Sequence, residues 1–186
     1  MIKTEPYNTI IIYENNYVRE CIEHIAPDSI FKFIKVNDIT DSQYIASSCN
    51  IYAILSERNT ISALHYIFKI RMAYHHTGIH FISLNKQSDV VKRAVECVGG
   101  TYDETGFKIM EFQNAILRYI SRTDTHHYDT STTITPLEAK IIVLYLNNIS
   151  RKRIALNLGR DPKTIHSHIL NSLKKMNVKR SRDLFL

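Results

Sequence analysis

Two prolines, each directly behind a capping residue, divide residues 134–178 into helices before any other feature is weighed. In "TPLE", Thr135 offers an N-cap oxygen and Pro136 sits at the first helical position, where a missing N–H costs nothing. Glu138, at the third position, can reach back to the cap. In "DPKT", Asp161 and Pro162 repeat the arrangement, and Ser150 opens the segment between the two. Each such cap is worth ~1 kcal/mol, enough to define where a short helix begins. The punctuation predicts helices near Pro136–Asn147, Arg151–Leu158 and Pro162–Met176, with a short fourth opening at Ser181. Ile141, Leu144 and Tyr145 on the first, Ile154 and Ala155 on the second, and Ile165, Ile169, Leu173 and Met176 on the third fall at helical spacing around one small core. Only "GR" separates Leu158 from Asp161. Two short helices joined so tightly, the second with polar residues away from its core stripe, form a helix-turn-helix whose second helix suits a major groove.

Charge separates this segment from the rest. Residues 1–133 carry 13 Lys+Arg against 15 Asp+Glu, whereas residues 134–186 carry 11 against 3, so the net +6 of the chain resides in its last part. A small, strongly basic helical module is the electrostatic footprint of a polyanion binder, usually of nucleic acid.

The first part alternates strands and helices. "TIIIY" (9–13), "FKFIKV" (31–36), "IYAIL" (51–55) and "IHFISL" (79–84) are β-branched or aromatic runs of strand length, and a weak fifth lies near Thr101-Tyr102. Helical patterns intervene. Val18, Cys21, Ile22 and Ile25 form one stripe, Ile61, Leu64, Phe68 and Met72 another, and 89–98 and 110–120 continue the series. The order predicts a doubly wound, mostly parallel α/β sheet, in which ligands or reactive groups sit at the carboxyl ends of the strands. "SRTDTHHYDTSTTIT" lacks apolar periodicity and reads as a linker. The expected organisation is an α/β domain at 1–121, a linker at 122–133 and an all-α domain at 134–186.

The segment "ITPLEAKIIVLYLNNISRKRIALNLGRDPKTIHSHILNSLKKMNV" resembles the LuxR/FixJ-type helix-turn-helix domain. The matching residues are Thr135, Glu138, Ile154-Ala155, Leu158, Lys163-Thr164-Ile165, His168 and Lys175-Met176-x-Val178. Asn148 stands where a glycine usually ends the first helix, Asp161 replaces a serine cap, and Ser172 replaces an apolar core residue. The α/β part resembles, at the level of pattern, the receiver domain of response regulators. Glu14 and Asn15 occupy the place of the acid pair, Ser56 that of the phospho-accepting aspartate, and Ser83 that of the Ser/Thr ending the fourth strand; the family lysine has no clear equivalent, since Lys108 comes late. Acyl-phosphate chemistry needs a carboxylate nucleophile and its Mg²⁺ needs several hard oxygens, so what this part resembles is a degenerate receiver that keeps the scaffold without the phosphorylation chemistry. Together the two halves resemble the NarL/FixJ group, in particular its enterobacterial accessory members of the capsule-synthesis co-regulator type.

The resemblance implies a four-helix DNA-binding domain and a cytoplasmic, nucleoid-associated transcriptional regulator that binds double-stranded DNA. It implies a homodimer or a heterodimer with a related regulator, and RNA polymerase as a further partner. The residues expected at DNA are Lys152, Arg153, Lys163, Thr164, His166, Ser167, Leu170, Asn171, Lys174, Lys175 and Arg180, with Lys179 and Arg182 in the same basic pool. Of these, His166, Ser167 and Leu170 match family positions that read base edges, and His168 matches one nearer the domain body. Two further readings stay open: a phosphorylation-responsive regulator using another acid such as Glu57, and an antagonist that sequesters a related regulator.

Other chemistries find little support. His166 and His168 lie about 200° apart around a helix and cannot chelate one ion from one face. His24, His75, His76 and His80 lack a completing acid or cysteine, and His126-His127 falls in the linker. Cys21, Cys49 and Cys97 form no Cys-x-x-Cys pair, which argues against a disulfide framework and a zinc ribbon. No nucleophile–base pair or phosphate-cradling glycine loop appears, so neither an enzyme nor a cofactor is expected. "MIKTEPYN" has no apolar signal core, and "IIVLYL" is far short of the ~20 residues of a membrane span.

Overall fold

The computed structural model describes residues 9–25, 31–39, 50–74, 78–105, 110–112, 114 and 133–184. Strands β1 (Thr9–Tyr13), β2 (Phe31–Lys35), β3 (Asn50–Leu55), β4 (Ile79–Ser83) and β5 (Gly100–Glu104) form one parallel sheet of order β2-β1-β3-β4-β5. The order reverses between β1 and β3, and the crevice that a doubly wound sheet uses for ligands opens there. Helices α1 (Asn16–Ile25), α2 (Thr60–Ala73) and α3 (Asp89–Cys97) complete the described α/β unit, and residues 110–112 are helical. Val18, Ile22 and Phe112 cover one face of the sheet; α2 and α3 cover the other. The inner strands β1 and β3 are buried on both faces, which explains why they are runs of apolar residues without alternation. The fifth strand needs its glycine: a Cβ on Gly100 would stand 2.8 Å from the Phe81 ring.

The helical unit comprises α4 (Pro136–Leu146), α5 (Arg151–Leu158) and α6 (Pro162–Lys175), and the expected fourth helix is a 3₁₀ turn at Ser181–Leu184. All three expected caps form. Thr135 and Glu138 make the reciprocal capping box, Ser150 accepts from the Arg153 N–H, and Asp161 accepts from the Lys163 N–H. Asn148 adopts the left-handed conformation (φ 59°) that a glycine takes without strain, and Gly159 (φ 59°) closes α5 the same way. Ser172 is fully buried and donates to the His168 carbonyl at 2.9 Å, so its hydroxyl is satisfied inside the core.

Two expected core stripes differ from the structure for one reason. On α4 the fully buried residues include Ala139, Ile141 and Ile142, while Leu144 and Tyr145 are only partly buried. On α2, Ala63, Tyr66, Ile67 and Ile70 are buried in addition to Leu64 and Phe68, and Ile61 and Met72 are partly exposed. Both helices are covered on two sides, because α4 packs against α2 as well as against α5 and α6. A helix apolar around its circumference is one buried between two layers. The two units consequently share a continuous core.

Polar contacts clamp this junction. Arg71 donates to the Ile134 carbonyl, the Ile134 N–H to the Cys97 carbonyl, and Arg93 to the Asn177 carbonyl. The Cys97 thiol donates to the Lys175 carbonyl at 3.0 Å, and burial pushes this thiol up to about 11, which keeps it a donor. Of the expected linker only Thr133 is described; His75, His76, His126, His127, Cys49, Lys108 and most of the helix expected at 110–120 lie outside the described residues. Among the described histidines, His24 is exposed on α1 and His80 stacks on Tyr52.

Candidate nucleic-acid interface

Helix α6 owes its two faces to its spacing. Ile165, Ile169, Ser172 and Leu173 recur at three- and four-residue intervals and point into the helical core. What remains, Lys163, Thr164, His166, Ser167, Leu170, Asn171 and Lys174, is exposed along the opposite side. Leu170 is 51% exposed, an apolar side chain that the core leaves out on an otherwise polar face. The α/β unit docks through α4 and the end of α6, so it leaves this face open.

Individual groups on the face have defined hydrogen-bonding states. His166 Nδ1 lies 2.9 Å from an Arg151 guanidinium nitrogen. A guanidinium only donates, so Nδ1 accepts and Nε2 is left as an outward donor. The Ser167 hydroxyl donates to the Lys163 carbonyl at 3.1 Å, which leaves its lone pairs outward as acceptors. His168 is partly buried, nearer the body of the unit. Lys152, Arg153, Lys179, Arg180 and Arg182 are exposed or partly exposed cations flanking α6.

Lys175 stands apart from the other expected residues. Its Nζ donates to Glu138 at 2.7 Å and to the Thr133 carbonyl at 2.9 Å, so its charge is spent inside the unit. Burial pushes the Glu138 carboxyl up, but the bonds from Lys175 and the Thr135 backbone outweigh it and hold the group below its ordinary range. Conversely, Arg151 was not among the expected residues. The signal was present: it opens α5, which pairs tightly with α6 across the "GR" turn.

The four receiver-like positions come together at the strand ends, but in other roles. Asn15 accepts from the Tyr17 N–H at 2.8 Å and caps α1, so its oxygen is used. Ser56 donates to Glu14 at 3.2 Å. Burial, then the neighbouring Glu57 charge, raises the Glu14 carboxyl to about 7. Ser83 is fully buried, donating to the Asn85 carbonyl at 2.7 Å and accepting from Gln87 at 3.1 Å. Gln87 and Asn85 in turn donate to the Glu57 and Ser56 carbonyls. The carboxylates gathered here are Glu14 and Glu57, and the place of the phospho-accepting aspartate holds Ser56, whose hydroxyl cannot form an acyl phosphate.

No family model and no curated protein matches the chain. Solved structures do match it in outline. A complex of the two-component response regulator RcsB with DNA is 15% identical over 97% of both chains, with a TM-score of 0.43. RcsB from Salmonella enterica serovar Typhimurium bound to promoter rprA has 15% identity over 97% of both, with 0.44. Full-length FixJ from B. japonicum has 14% identity over 95% of this chain and 93% of its own, with 0.38. At these values the likeness carries no argument, and function rests on the side chains themselves.

Proposed function

We propose that the chain is a sequence-specific DNA-binding transcriptional regulator, with its receiver-like unit (1–121) serving dimerisation or partner docking without aspartyl phosphorylation, and a linker (122–133) leading to the DNA-binding unit (134–186). The observation that carries this reading is the open, basic-flanked outer face of α6. His166 and Ser167 offer one donor and one acceptor for base edges, and Leu170 an apolar contact for a thymine methyl. Thr164 and Asn171 extend that face. Lys163, Lys174, Lys152, Arg153, Arg151 and Arg180 supply phosphate contacts on either side. Such a protein works in the cytoplasm on nucleoid DNA, pairs with a second copy or a related regulator, and meets RNA polymerase at the promoter. The absence of phosphorylation is supported by Ser56 at the nucleophile's place and by the Ser83–Gln87–Glu57 network beside it.

Selection of bound sites from genomic fragments by the purified full chain, followed by footprinting, tests the reading. A short protected sequence that His166→Ala and Ser167→Ala weaken supports it; no protection by the chain alone overturns it as stated. Ser56→Ala is expected to leave regulation nearly intact, and incorporation of label from a small phosphodonor would overturn the phosphorylation-independent part.

A further inference from the structure

A crevice of about 530 Å³ lies where the two units meet, between the carboxyl ends of β1 and β3, helix α2 and the roof formed by Val143 of α4 and Asn147 at its C-cap. Pockets of this volume hold metabolite-sized ligands. Glu14 and Glu57 stand at one end. Among the described residues, neither has a Lys, Arg or His nitrogen within 4.0 Å. Lys69 also lines the crevice and has no carboxylate partner there. The α2 residues that line it, from Ser62 through His65 and Tyr66 to Lys69, follow one helical stripe. Helix α2 begins three residues after Glu57, with Ser62 in its first turn and Lys69 about two turns on, a rise of about 10 Å along the helix. Burial lowers the His65 pKa, so its ring adds a hydrogen-bonding group in place of a charge. Val36 and Ile39 add apolar wall to the crevice, and Met72, almost one turn beyond Lys69 on α2, adds more.

Unpaired charges of opposite sign at the two ends of a partly apolar crevice describe a ligand with the complementary pattern. We infer that this crevice binds a small zwitterion whose ammonium and carboxylate stand at opposite ends of an aliphatic body, a short peptide or an ω-amino acid, with the ammonium between Glu14 and Glu57 and the carboxylate at Lys69. An ammonium placed there relieves the repulsion between the two glutamates. Because Val143 lies on α4 and Asn147 caps it, the ligand bridges the units and favours the docked arrangement over any state in which they separate. The site stands apart from the DNA reading, since it involves none of the residues on the outer face of α6.

Calorimetric titration of the full chain without DNA, using 6-aminohexanoate and leucyl-leucine as the two zwitterions and hexylamine and hexanoate as single-charge controls, tests this. At least one zwitterion is expected to bind about tenfold or more tightly than either control. Glu57→Gln and Lys69→Met, each checked for unchanged circular dichroism, are expected to weaken it about tenfold. Preference for the dipeptide assigns a peptide ligand, and preference for 6-aminohexanoate an ω-amino acid. No heat from any probe up to about 10 mM, hexylamine binding as tightly as the zwitterions, or affinity unchanged in both variants overturns the inference.

Discussion

Glu14 shows how one half-buried side chain carries pH dependence into the whole fold. Its carboxyl has a reference value of 4.5 and sits at about 7 when folded, raised first by burial and then by Glu57; His65, Lys69 and Tyr66 face the same crevice. Between those two pH values the folded chain holds a proton that the unfolded chain has released. Stability from this group is therefore fully present below pH 4.5 and is lost as pH rises through 7. Glu14→Gln keeps the shape without the charge, and denaturant unfolding at pH 8 is expected to find it about 1–3 kcal/mol more stable than the parent, with little difference at pH 4.5. An equal decline with pH in both proteins would remove Glu14 as its source. On the DNA side, His166→Ala and Ser167→Ala should each cost about 1–3 kcal/mol on the selected site and much less on random duplex. Equal losses on both DNAs would place the reading elsewhere.

At the scale of elements, caps and strand runs were legible because they depend on neighbours in sequence. Thr135, Ser150 and Asp161 each cap where their side-chain chemistry predicts, and four of the five strands lie within a residue of their apolar runs. The fifth was faint because Gly100–Glu104 is only partly buried and carries two acids. What single-stripe periodicity obscured was the second covered face of α2 and α4, since it is created by packing between elements distant in sequence. The trace it left was composition: "IIVLYL" is apolar on every side, more than a helix with one buried stripe needs. The turn after α4 allows a direct test of local chemistry. Asn148 holds φ 59°, where glycine has no Cβ to strain. Asn148→Gly is expected to raise stability by about 0.5–1 kcal/mol and Asn148→Ala to lower it, as measured by thermal unfolding. A destabilised glycine variant would mean that the asparagine side chain has a role of its own.

For the whole molecule, the distribution of charge separates cations that hold the units together from cations left for a partner. Counting basic residues in sequence places Lys175 with Lys163 and Lys174, because all three lie on one helix at a basic end of the chain. Folding divides them: Lys163 and Lys174 face solvent, while Lys175 neutralises Glu138 beneath the junction with the α/β unit. If about five phosphates are neutralised per subunit, log K for DNA should fall with log salt at a slope near −4 to −5. Lys163→Gln or Lys174→Gln should each reduce that slope by about one and weaken specific and random DNA alike. Lys175→Gln should leave the slope unchanged while lowering the unfolding free energy by about 1–3 kcal/mol, because the buried Glu138 carboxylate loses its charged partner. Measuring slope and stability on the same three variants makes the division explicit. A slope that falls for Lys175→Gln as it does for Lys163→Gln would show that the Glu138 pair opens on DNA and that the docked arrangement is not the one that binds.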